Sequence, residues 1–481
     1  MTAPAARGRV LPTLNEDGSR NWLRPKPAHG TWWERRRVVA YVLMCVFIAL
    51  PHLRVHGAPT VLLDLPRREF TLFGTTFMPT DTLLLMLLLA SGVIAIFLFS
   101  ALFGRVWCGW ACPQTVYLEW VFRPLERLIE GGRSGSLALD RTRPWLRPWL
   151  HPWLHPWLHP RRLLKYAVYL AIALLLAHTF LAYFVGVSAL ERWVRLSPYE
   201  HPVPFVVMAV TTGLIFHDFA FFREQTCIIA CPYGRWQSAL LDRQSLVVAY
   251  DFNRGEPRGL HAGHGGADRV AGAGDCIACN ACVTTCPTGI DIRNGLQMEC
   301  VHCTQCMDAC DAIMAQVGKP AGLIRYTSGD ALAGVARHML RPRVVLYPLA
   351  FALTFGGFLY ALETKARADV TLLRGTGEPF TLEPGGRVTN QMRVKIVNRS
   401  RSAHAYAVIV TGTGGGQVIA PESPLTVRPG EQRTMSVFVL MPRAAFSNGR
   451  RDVRVQVTDG DDFTGMFSFN LLGPVAGGAA P

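Results

Sequence analysis

Thirteen cysteines are the residues of this 481-residue chain whose type and spacing could do chemistry. Twelve stand in tight groups, two or three residues apart, a spacing that suits metal ligation better than disulfide pairing. The groups are Cys108/Cys112, Cys227/Cys231, Cys276/Cys279/Cys282/Cys286 and Cys300/Cys303/Cys306/Cys310. Metal thiolates also fit a reducing compartment. The remaining Cys45 stands alone in an apolar segment, where we expect a small buried apolar side chain.

The two four-cysteine groups share one pattern. Residues 276–287 read CIACNACVTTCP, the C-x2-C-x2-C-x3-C-P run of bacterial ferredoxins, and residues 300–310 repeat the cysteine spacing. The second run ends in Cys-Asp instead of Cys-Pro, which leaves the number of thiols unchanged. Two such runs predict two [4Fe–4S] clusters and disfavour structural zinc, which usually uses paired C-x2-C knuckles.

The resemblance to two-cluster ferredoxins implies crossed ligand sets. In such proteins three thiolates of one run bind a cluster together with the fourth thiolate of the other run. One cluster would therefore take Cys276, Cys279, Cys282 and Cys310, and the other would take Cys300, Cys303, Cys306 and Cys286.

The two cysteine pairs form an internal repeat. Each pair reads C-x-x-A-C-P and follows a hairpin of two apolar runs. Cysteines four residues apart share one helix face, and the proline disfavours helical geometry at the second cysteine, so each pair should lie where a helix ends. Four soft thiols at a membrane edge suit Cu(I), a further iron–sulfur cluster or a redox dithiol.

Histidines offer weaker candidates. His217, ten residues before Cys227, is either an additional copper ligand or the partner of an interhelical hydrogen bond, and His178 favours a structural role. A proline-rich tract at residues 143–160 reads RPWLRPWLHPWLHPWLHP and predicts a surface linker, because proline at every fourth position prevents a regular helix. The tract and a second expected linker contain His151, His155, His159, His261 and His264.

Apolar runs predict a helical membrane bundle of about five spans. Hydrophobic residues make up 50% of the chain and charged residues 17%, and the mean hydropathy is +0.21. A span needs roughly 17–25 residues. The predicted spans are Val38–Leu53, Thr82–Phe103, Tyr166–Val187, Val203–Phe222 and Val344–Leu362. The first is the shortest, and it begins too late for a cleavable signal peptide.

The basic residues predict the orientation of the bundle. Segments 1–37, 104–162 and 223–343 contain twenty-nine Lys and Arg, against five in segments 54–81 and 188–202. The positive-inside rule therefore predicts that the three basic segments are cytoplasmic. Because the net charge of +15 is explained by topology, no nucleic-acid partner is expected.

The whole chain predicts a multi-domain protein. We divide it into an arm (1–37), a first transmembrane hairpin (38–103), a cytoplasmic loop (104–162), a second hairpin (163–222), a segment with an inserted α+β two-cluster ferredoxin-like module (223–343), a fifth span (344–362) and a C-terminal domain (363–481). The last contains short β-type stretches between Gly, Pro and Asn turns, which predict an all-β antiparallel sandwich in the periplasm.

Four runs, WCGWACPQT, REQTCIIACPYGRWQ, CPTGIDIRNGLQMEC and AGLIRY, resemble the cytochrome c oxidase accessory proteins of the CcoG/FixG (RdxA) family. The resemblance covers most of the chain, but not the proline-rich tract, and implies a C-terminal immunoglobulin-like domain. It also implies a bacterial inner-membrane protein that reduces Cu(II) to Cu(I) for assembly of a cbb-type oxidase. Its partners would be oxidase-assembly and copper-transport proteins. The family's motif cysteines carry over to the twelve named above.

These patterns favour one hypothesis and leave two alternatives open. In the first, electrons enter at the two clusters and reduce copper held by Cys108, Cys112, Cys227 and Cys231. In the second, a quinone-linked membrane ferredoxin passes electrons to another acceptor. In the third, the chain is a non-enzymatic assembly factor or copper chaperone. The electron donor is unknown, and a homodimer in which the pairs meet across subunits remains open.

Overall fold

The computed structural model describes residues 11–474 apart from 16, 56, 79–80, 142–158, 260–273, 336–340, 401 and 462. The chain divides into two compact units, Met1–Phe358 and Leu359–Pro481. Most of the proline-rich tract, with His151 and His155, lies outside the described residues, as do His261 and His264. The predictions made for these four histidines therefore stay predictions.

Five long helices correspond to the five predicted apolar runs. They are α1 (Thr31–Ala49), α2 (Thr82–Phe103), α3 (Pro160–Val185), α4 (Pro202–His217) and α5 (Pro342–Glu363). α3, α4 and α5 each begin at a proline, which has no backbone N–H to leave unpaired at the first helical position. His159, at the end of the proline-rich tract, caps α3 by accepting a hydrogen bond from the backbone N–H of Arg161 at 3.3 Å.

Four helices of the described chain have the length and composition of membrane spans. They are Thr82–Phe103, Pro160–Val185, Pro202–Phe222 and Pro342–Glu363, of which the third includes a π-helical turn after α4. α1 is not among them, and its first turns carry Glu34 and three arginines. It nevertheless runs beside α3, because the Tyr183 hydroxyl donates to the carbonyl of Phe47 at 2.7 Å.

The prediction that Cys45 is buried is wrong. Cys45 lies exposed on α1, next to the exposed side chains of Tyr41, Val42 and Val46. An apolar run shows that a segment avoids water, but it does not show which helix face contacts other protein segments and which faces outward. Cys45 lies on the outward face.

The ferredoxin segment folds as the predicted α+β module. Two strands, Val247–Tyr250 and Ile324–Thr327, pair antiparallel and join the two ends of the segment. Between them lie the helices Ala281–Thr284 and Gln305–Gln316 and a 3-10 turn, Ile292–Asn294. Their apolar side chains pack together with the cysteines in one core, which includes Ile290, Met307, Met314 and Leu323.

The C-terminal unit is an antiparallel β-sandwich, as predicted. One sheet contains strands Gln417–Ile419, Gln432–Pro442, Arg387–Asn398 and Ala368–Arg374 in that order, with Thr381–Leu382 paired to the third. The other contains Leu425–Val427, His404–Thr411, Arg450–Thr458 and Thr464–Leu472. Side chains alternate between the buried core and the surface along the long strands, the pattern of a sheet with one packed face.

Shorter elements connect the long helices. Between α1 and α2, strands Val61–Asp64, Glu69–Leu72 and Thr75–Phe77 form a small sheet beside the pair Arg54–Val55 and Ala58–Pro59. Sequence patterns did not indicate this sheet. The remaining helices are Val106–Trp110, Pro113–Tyr117, Arg123–Glu130, Gly132–Arg141, Val187–Arg195, Pro232–Leu240, Phe252–Gly255 and Gly329–Leu332, with π-helical turns at Leu118–Phe122, Asp218–Phe222 and Thr226–Ala230.

A buried network of ion pairs connects the segments around α3. Arg123 contacts Glu224 at 3.2 Å, and Arg223 contacts Glu126 at 2.8 Å. Lys165 of α3 reaches Glu126 at 3.3 Å. Burial alone would raise the pKa of Glu126, but the charges of Arg223 and Lys165 outweigh burial and lower that pKa to about 2. The carboxylate is therefore held ionised.

Glu126→Gln should destabilise the protein by about 3 kcal/mol at most, because it removes a buried carboxylate shared by Arg223 and Lys165 and leaves them with Glu224 and Glu130 as their remaining partners. Since the folded-state pKa of about 2 lies below the ordinary 4.5, the stabilisation is complete above pH 4.5 and is lost as pH falls toward 2. Unfolding in detergent, followed by circular dichroism across that range, should show a weaker pH dependence in the variant. Glu34→Gln, at a half-exposed pair with Arg37, is the control and should change little. Equal losses in both variants would contradict the prediction.

Candidate functional site

The structure brings Cys310 of the second run to the first three cysteines of the first run. Burial raises the pKa of Cys310 to about 12, and the neighbouring thiols of Cys282, Cys276 and Cys279 add to the increase. All four side chains line one cavity. We call these four residues the first thiol set.

Cys286 of the first run lies with the second run in the same way. Burial raises the pKa of Cys300 to about 12 and that of Cys303 to about 11, and the Cys286 thiol adds to both increases. A second cavity is lined by Cys286, Cys300, Cys303 and Cys306. These four residues are the second thiol set. The grouping matches the crossed sets implied by the ferredoxin resemblance, whereas the role of the thiols as ligands stays a prediction.

The loops around both sets have the backbone conformation that an iron–sulfur cluster requires. Ala278 and Asn280 have φ values of 53° and 58°, and His302 and Thr304, at the same positions of the second run, have 52° and 60°. A left-handed non-glycine residue costs roughly 1–2 kcal/mol, but successive reversals of this kind turn backbone N–H groups into an anion-binding concavity. The backbone N–H groups of His302 and Gln305 accordingly act on the pKa of Cys300 and Cys303 in the direction that favours the thiolate. The residues present therefore fit two [4Fe–4S] clusters.

The Cys-Asp ending of the second run has a structural reason. Cys310 lies inside the helix Gln305–Gln316, so a proline directly after it would interrupt the helix. Asp311 instead continues the helix, and its carboxylate accepts a hydrogen bond from the backbone N–H of Gly322 at 2.7 Å. In the first run Pro287 follows a short turn, and its carbonyl accepts from Arg123 at 3.2 Å.

Each cysteine pair spans a break between two helical segments. Cys112 and Cys231 have extended backbone, with φ and ψ of −61° and 126° and of −72° and 111°, and a proline starts the next helix. The prediction that each pair lies where a helix ends is confirmed, and a second helix begins directly afterwards. The segments are Val106–Trp110 and Pro113–Tyr117 in the first repeat, and Thr226–Ala230 and Pro232–Leu240 in the second.

All four thiols of the two pairs lie within electrostatic range of one another. Burial raises the pKa of Cys108 to about 12, and the thiols of Cys112 and Cys231 add to the increase. Burial and the other three thiols likewise raise the pKa of Cys227. The pairs therefore meet within one chain, without a second copy. In the part of the chain that the structure describes, no group of three or more His, Cys, Asp and Glu side chains is arranged to hold a single metal ion.

Two glutamines, which sequence reasoning missed, link the repeats reciprocally. Gly104 and Arg223, each four residues before the first cysteine of a pair, have φ values of 58° and 53°. Gln114 of the first repeat donates to the carbonyl of Arg223 at 2.8 Å, and Gln237 of the second donates to the carbonyl of Gly104. Gln237 also accepts a hydrogen bond from the Cys108 thiol at 3.3 Å. In the sequence, a glutamine follows the Cys-Pro step of each repeat, and this shared feature could have indicated the link between the repeats.

The first pair rests directly on the loop of the second thiol set. A methyl group placed on Gly109, which follows Cys108, would lie 2.6 Å from the carbonyl oxygens of both Val301 and His302. Only glycine allows this approach of the two backbones. The loop between the two cysteines of the first pair and the loop between Cys300 and Cys303 are therefore in contact.

Two buried arginines bridge the same region and were also missed. Arg36 donates to the carbonyl of Gly109 at 2.9 Å and to that of Cys303 at 2.6 Å. Arg105 donates to the carbonyl of Cys300 at 3.3 Å and to that of Gly234, three residues after Cys231. Each guanidinium thus connects the second thiol set to one of the two pairs.

The histidines of the spans lie apart from this arrangement. His217 is exposed, and its ring packs on Phe221 with centroids 5.8 Å apart. The neighbouring Asp218, rather than His217, acts electrostatically on Cys112 and Cys227. His178 bonds the carbonyl of Leu174, one turn earlier in its own helix, at 2.8 Å, in agreement with a structural role. A contribution of His217 to metal binding stays a prediction without support from this geometry.

The crossed sets can be tested with pairs of substitutions. Cys276→Ser with Cys310→Ser should remove one cluster and about four of about eight irons, because both thiols belong to the first set. Cys276→Ser with Cys286→Ser should remove both clusters, although both cysteines belong to the first run. Iron analysis and EPR of the anaerobically purified protein measure the loss, with Cys276→Ser and Cys45→Ser as the matched control. Retention of half the iron by the Cys276/Cys286 variant would contradict the crossed sets.

Comparison with family models identifies three domains. A 4Fe-4S dicluster domain matches residues 222–329, and a 4Fe-4S binding domain matches residues 85–131. An IG-like fold at the C-terminal of FixG matches residues 358–474. The first two matches include all twelve grouped cysteines, and the third covers the sandwich.

Curated relatives match most of the chain. Protein RdxA of Cereibacter sphaeroides is 35% identical over 80% of both chains. Nitrogen fixation protein FixG of Rhizobium meliloti is 31% identical over 89% of this chain and 88% of its own, and protein RdxB of Cereibacter sphaeroides is 32% identical over 95% and 96%. Together with the four apolar helices, these relatives indicate membrane association. The chain therefore belongs to the FixG/RdxA family of iron–sulfur electron-transfer proteins.

Proposed function

We propose that this protein is a cupric reductase whose four paired cysteines bind copper as the substrate. The observation that carries the proposal is the contact between Gly109, within the first pair, and the loop of the second thiol set. Cu(II) prefers nitrogen and oxygen ligands, whereas thiolates select Cu(I). A four-thiol site against an electron-carrying module therefore favours the reduced state of the metal.

The reaction is a one-electron step. Bound [4Fe–4S] clusters supply single electrons at potentials set by their surroundings. With one electron supplied from that source, each Cu(II) would become Cu(I), and the thiols that bind copper would release their protons to solvent. Gln237 orients the Cys108 sulfur through their hydrogen bond, and Arg36 holds the second-set loop against the first pair.

The same proposal places the protein in a bacterial inner membrane, with the thiol sets in the cytoplasm and the sandwich in the periplasm. Residues of the segment 223–343 contact the starts of two long helices. Asp308 caps the start of α1 by accepting from the backbone N–H groups of Trp32 and Trp33 at 3.1 and 2.7 Å. Arg341, directly before α5, contacts Asp242 at 2.8 Å, and α2 ends five residues before Cys108. Cu(I) would pass to copper-transport and assembly proteins of a cbb-type oxidase.

The combined substitution of Cys108→Ala and Cys227→Ala should slow Cu(II) reduction at least tenfold and leave the iron content unchanged, because one ligand is lost from each pair. The assay adds Cu(II) to dithionite-reduced, desalted protein and follows Cu(I) with a chelator and cluster reoxidation by absorbance. Cys45→Ala, outside both thiol groups, is the control. An unchanged rate in the double variant would contradict a copper site at the pairs. Clusters of the unsubstituted protein that stay reduced beside Cu(II) would favour a quinone or another electron acceptor.

Gly109→Ala should slow the same reaction while both clusters are retained, since its methyl group would force the first pair away from the carbonyls of Val301 and His302. Stopped-flow reoxidation of the clusters by Cu(II) measures the effect. Gly92→Ala, within α2 and with no other atoms within 4 Å of the added methyl group, is the matched control. Equal rates for the two variants would show that this contact has no part in electron transfer.

A further inference from the structure

Two of the buried arginines have no carboxylate partner. Arg36 is 1% exposed and Arg105 is 4% exposed. Among the residues that the structure describes, neither forms an ion pair with Asp or Glu, whereas the equally buried Arg123 and Arg223 do. A buried charge without a counter-charge costs several kcal/mol. Glu119 and Asp308 act on Arg36 electrostatically without forming an ion pair with it.

Both guanidiniums bind the backbone of the second thiol set. Arg36 donates to the carbonyl of Cys303, and Arg105 donates to that of Cys300. Each guanidinium also acts electrostatically on the thiol of the same cysteine, in the direction that favours the thiolate. Among the described residues, Nη2 of Arg36 is buried without a hydrogen-bond partner. The thiolates of a cluster bound here would therefore face both positive charges.

At the first thiol set, a cation and a carboxylate lie together. Arg293 acts favourably on the Cys282 thiolate and outweighs Asp291, whereas Asp311 acts unfavourably on the Cys310 thiolate. Arg293 is the cation at this cavity, and it is already paired with Asp291 at 2.6 Å. Most of the other lining side chains are apolar, including Ile277, Met314, Leu323 and Ile324.

We propose that Arg36 and Arg105 determine the order of the two cluster potentials, and that they hold the potential at the second thiol set above that at the first. Reduction of a cluster adds one negative charge, and two buried unpaired guanidiniums stabilise that charge at the second set. At the first set the charge of Arg293 is paired with Asp291, and Asp311 adds a negative charge beside Cys310. The second set is consequently the better electron acceptor of the two.

The order of the two cluster potentials determines the direction of electron transfer through the protein. Cys279 of the first set is exposed, whereas Cys303 of the second set is buried and its loop contacts Gly109. An electron donor reaches the first set from solvent, and the arginines favour retention of the electron at the second set. Its further transfer to copper at the pairs rests on the proposed function. The two arginines also bind Gly109 and Gly234, one in each repeat, so the same side chains position both pairs.

Redox titration of the full-length, copper-free protein, followed by EPR, tests the assignment. Arg36→Gln and Arg105→Gln should each lower the potential of the second cluster, so that its reduced-to-oxidised ratio at the unsubstituted midpoint falls about tenfold, which corresponds to 59 mV for one electron. Arg36→Lys and Arg105→Lys keep the charge and should keep most of the potential. Cys279→Ser and Cys303→Ser assign the two EPR signals to their sets.

Arg293→Gln is the matched control, and it should shift only the signal of the first set. Loss of the second cluster in the glutamine variants, with retention at near-normal potential in the lysine variants, also supports the assignment. The proposal is overturned if the glutamine variants leave the second potential unchanged, if they shift both signals equally, or if the lysine variants behave like them. Since no copper is present, these outcomes are independent of whether the four paired thiols reduce copper.

Discussion

The architecture depends on a buried network of alternating charges around Arg123, Glu126 and Arg223. Arg20 of the N-terminal arm reaches Glu224 at 3.2 Å, and Lys165 of α3 reaches Glu130 at 2.5 Å. The segment after the first cysteine pair and the segment directly before the second pair both contribute charged residues to this network. The two repeats therefore cannot move apart without leaving a buried ion unpaired. Such networks add little net stability over apolar packing, but removal of one partner is strongly unfavourable. They therefore specify one arrangement of the segments.

Buried arginines serve two purposes in this molecule. Those paired with carboxylates, such as Arg123 and Arg223, hold helices together. In the described residues, Arg36 and Arg105 form no ion pair with a carboxylate and donate hydrogen bonds to backbone carbonyls of the second thiol set. The paired arginines therefore maintain the fold, whereas under our proposal the two unpaired arginines govern the chemistry. Members of both groups lie within a few residues of the cysteine motifs.

Duplication of a hairpin explains how one chain brings two cysteine pairs near one another. Each copy ends its span at a left-handed residue, places a cysteine four residues later, and breaks the helix at a second cysteine before proline. Reciprocal glutamine hydrogen bonds then join the copies. The carbonyls that accept these bonds lie at the end of a helix, where the last carbonyl groups have no backbone N–H partner within the helix.

Local spacing and periodicity in the sequence determined the cysteine runs, the position of each long helix and the β-sandwich, because these features depend on neighbours a few residues apart. The same patterns predicted the burial of Cys45 incorrectly, since hydropathy does not distinguish a packed helix face from an outward one. Only the tertiary structure decided which thiols meet and which charges face them. Arg36 binds carbonyls 73 and 267 residues away along the chain, at Gly109 and Cys303. Contacts at such separations arise from the packing of whole segments, which no local pattern encodes.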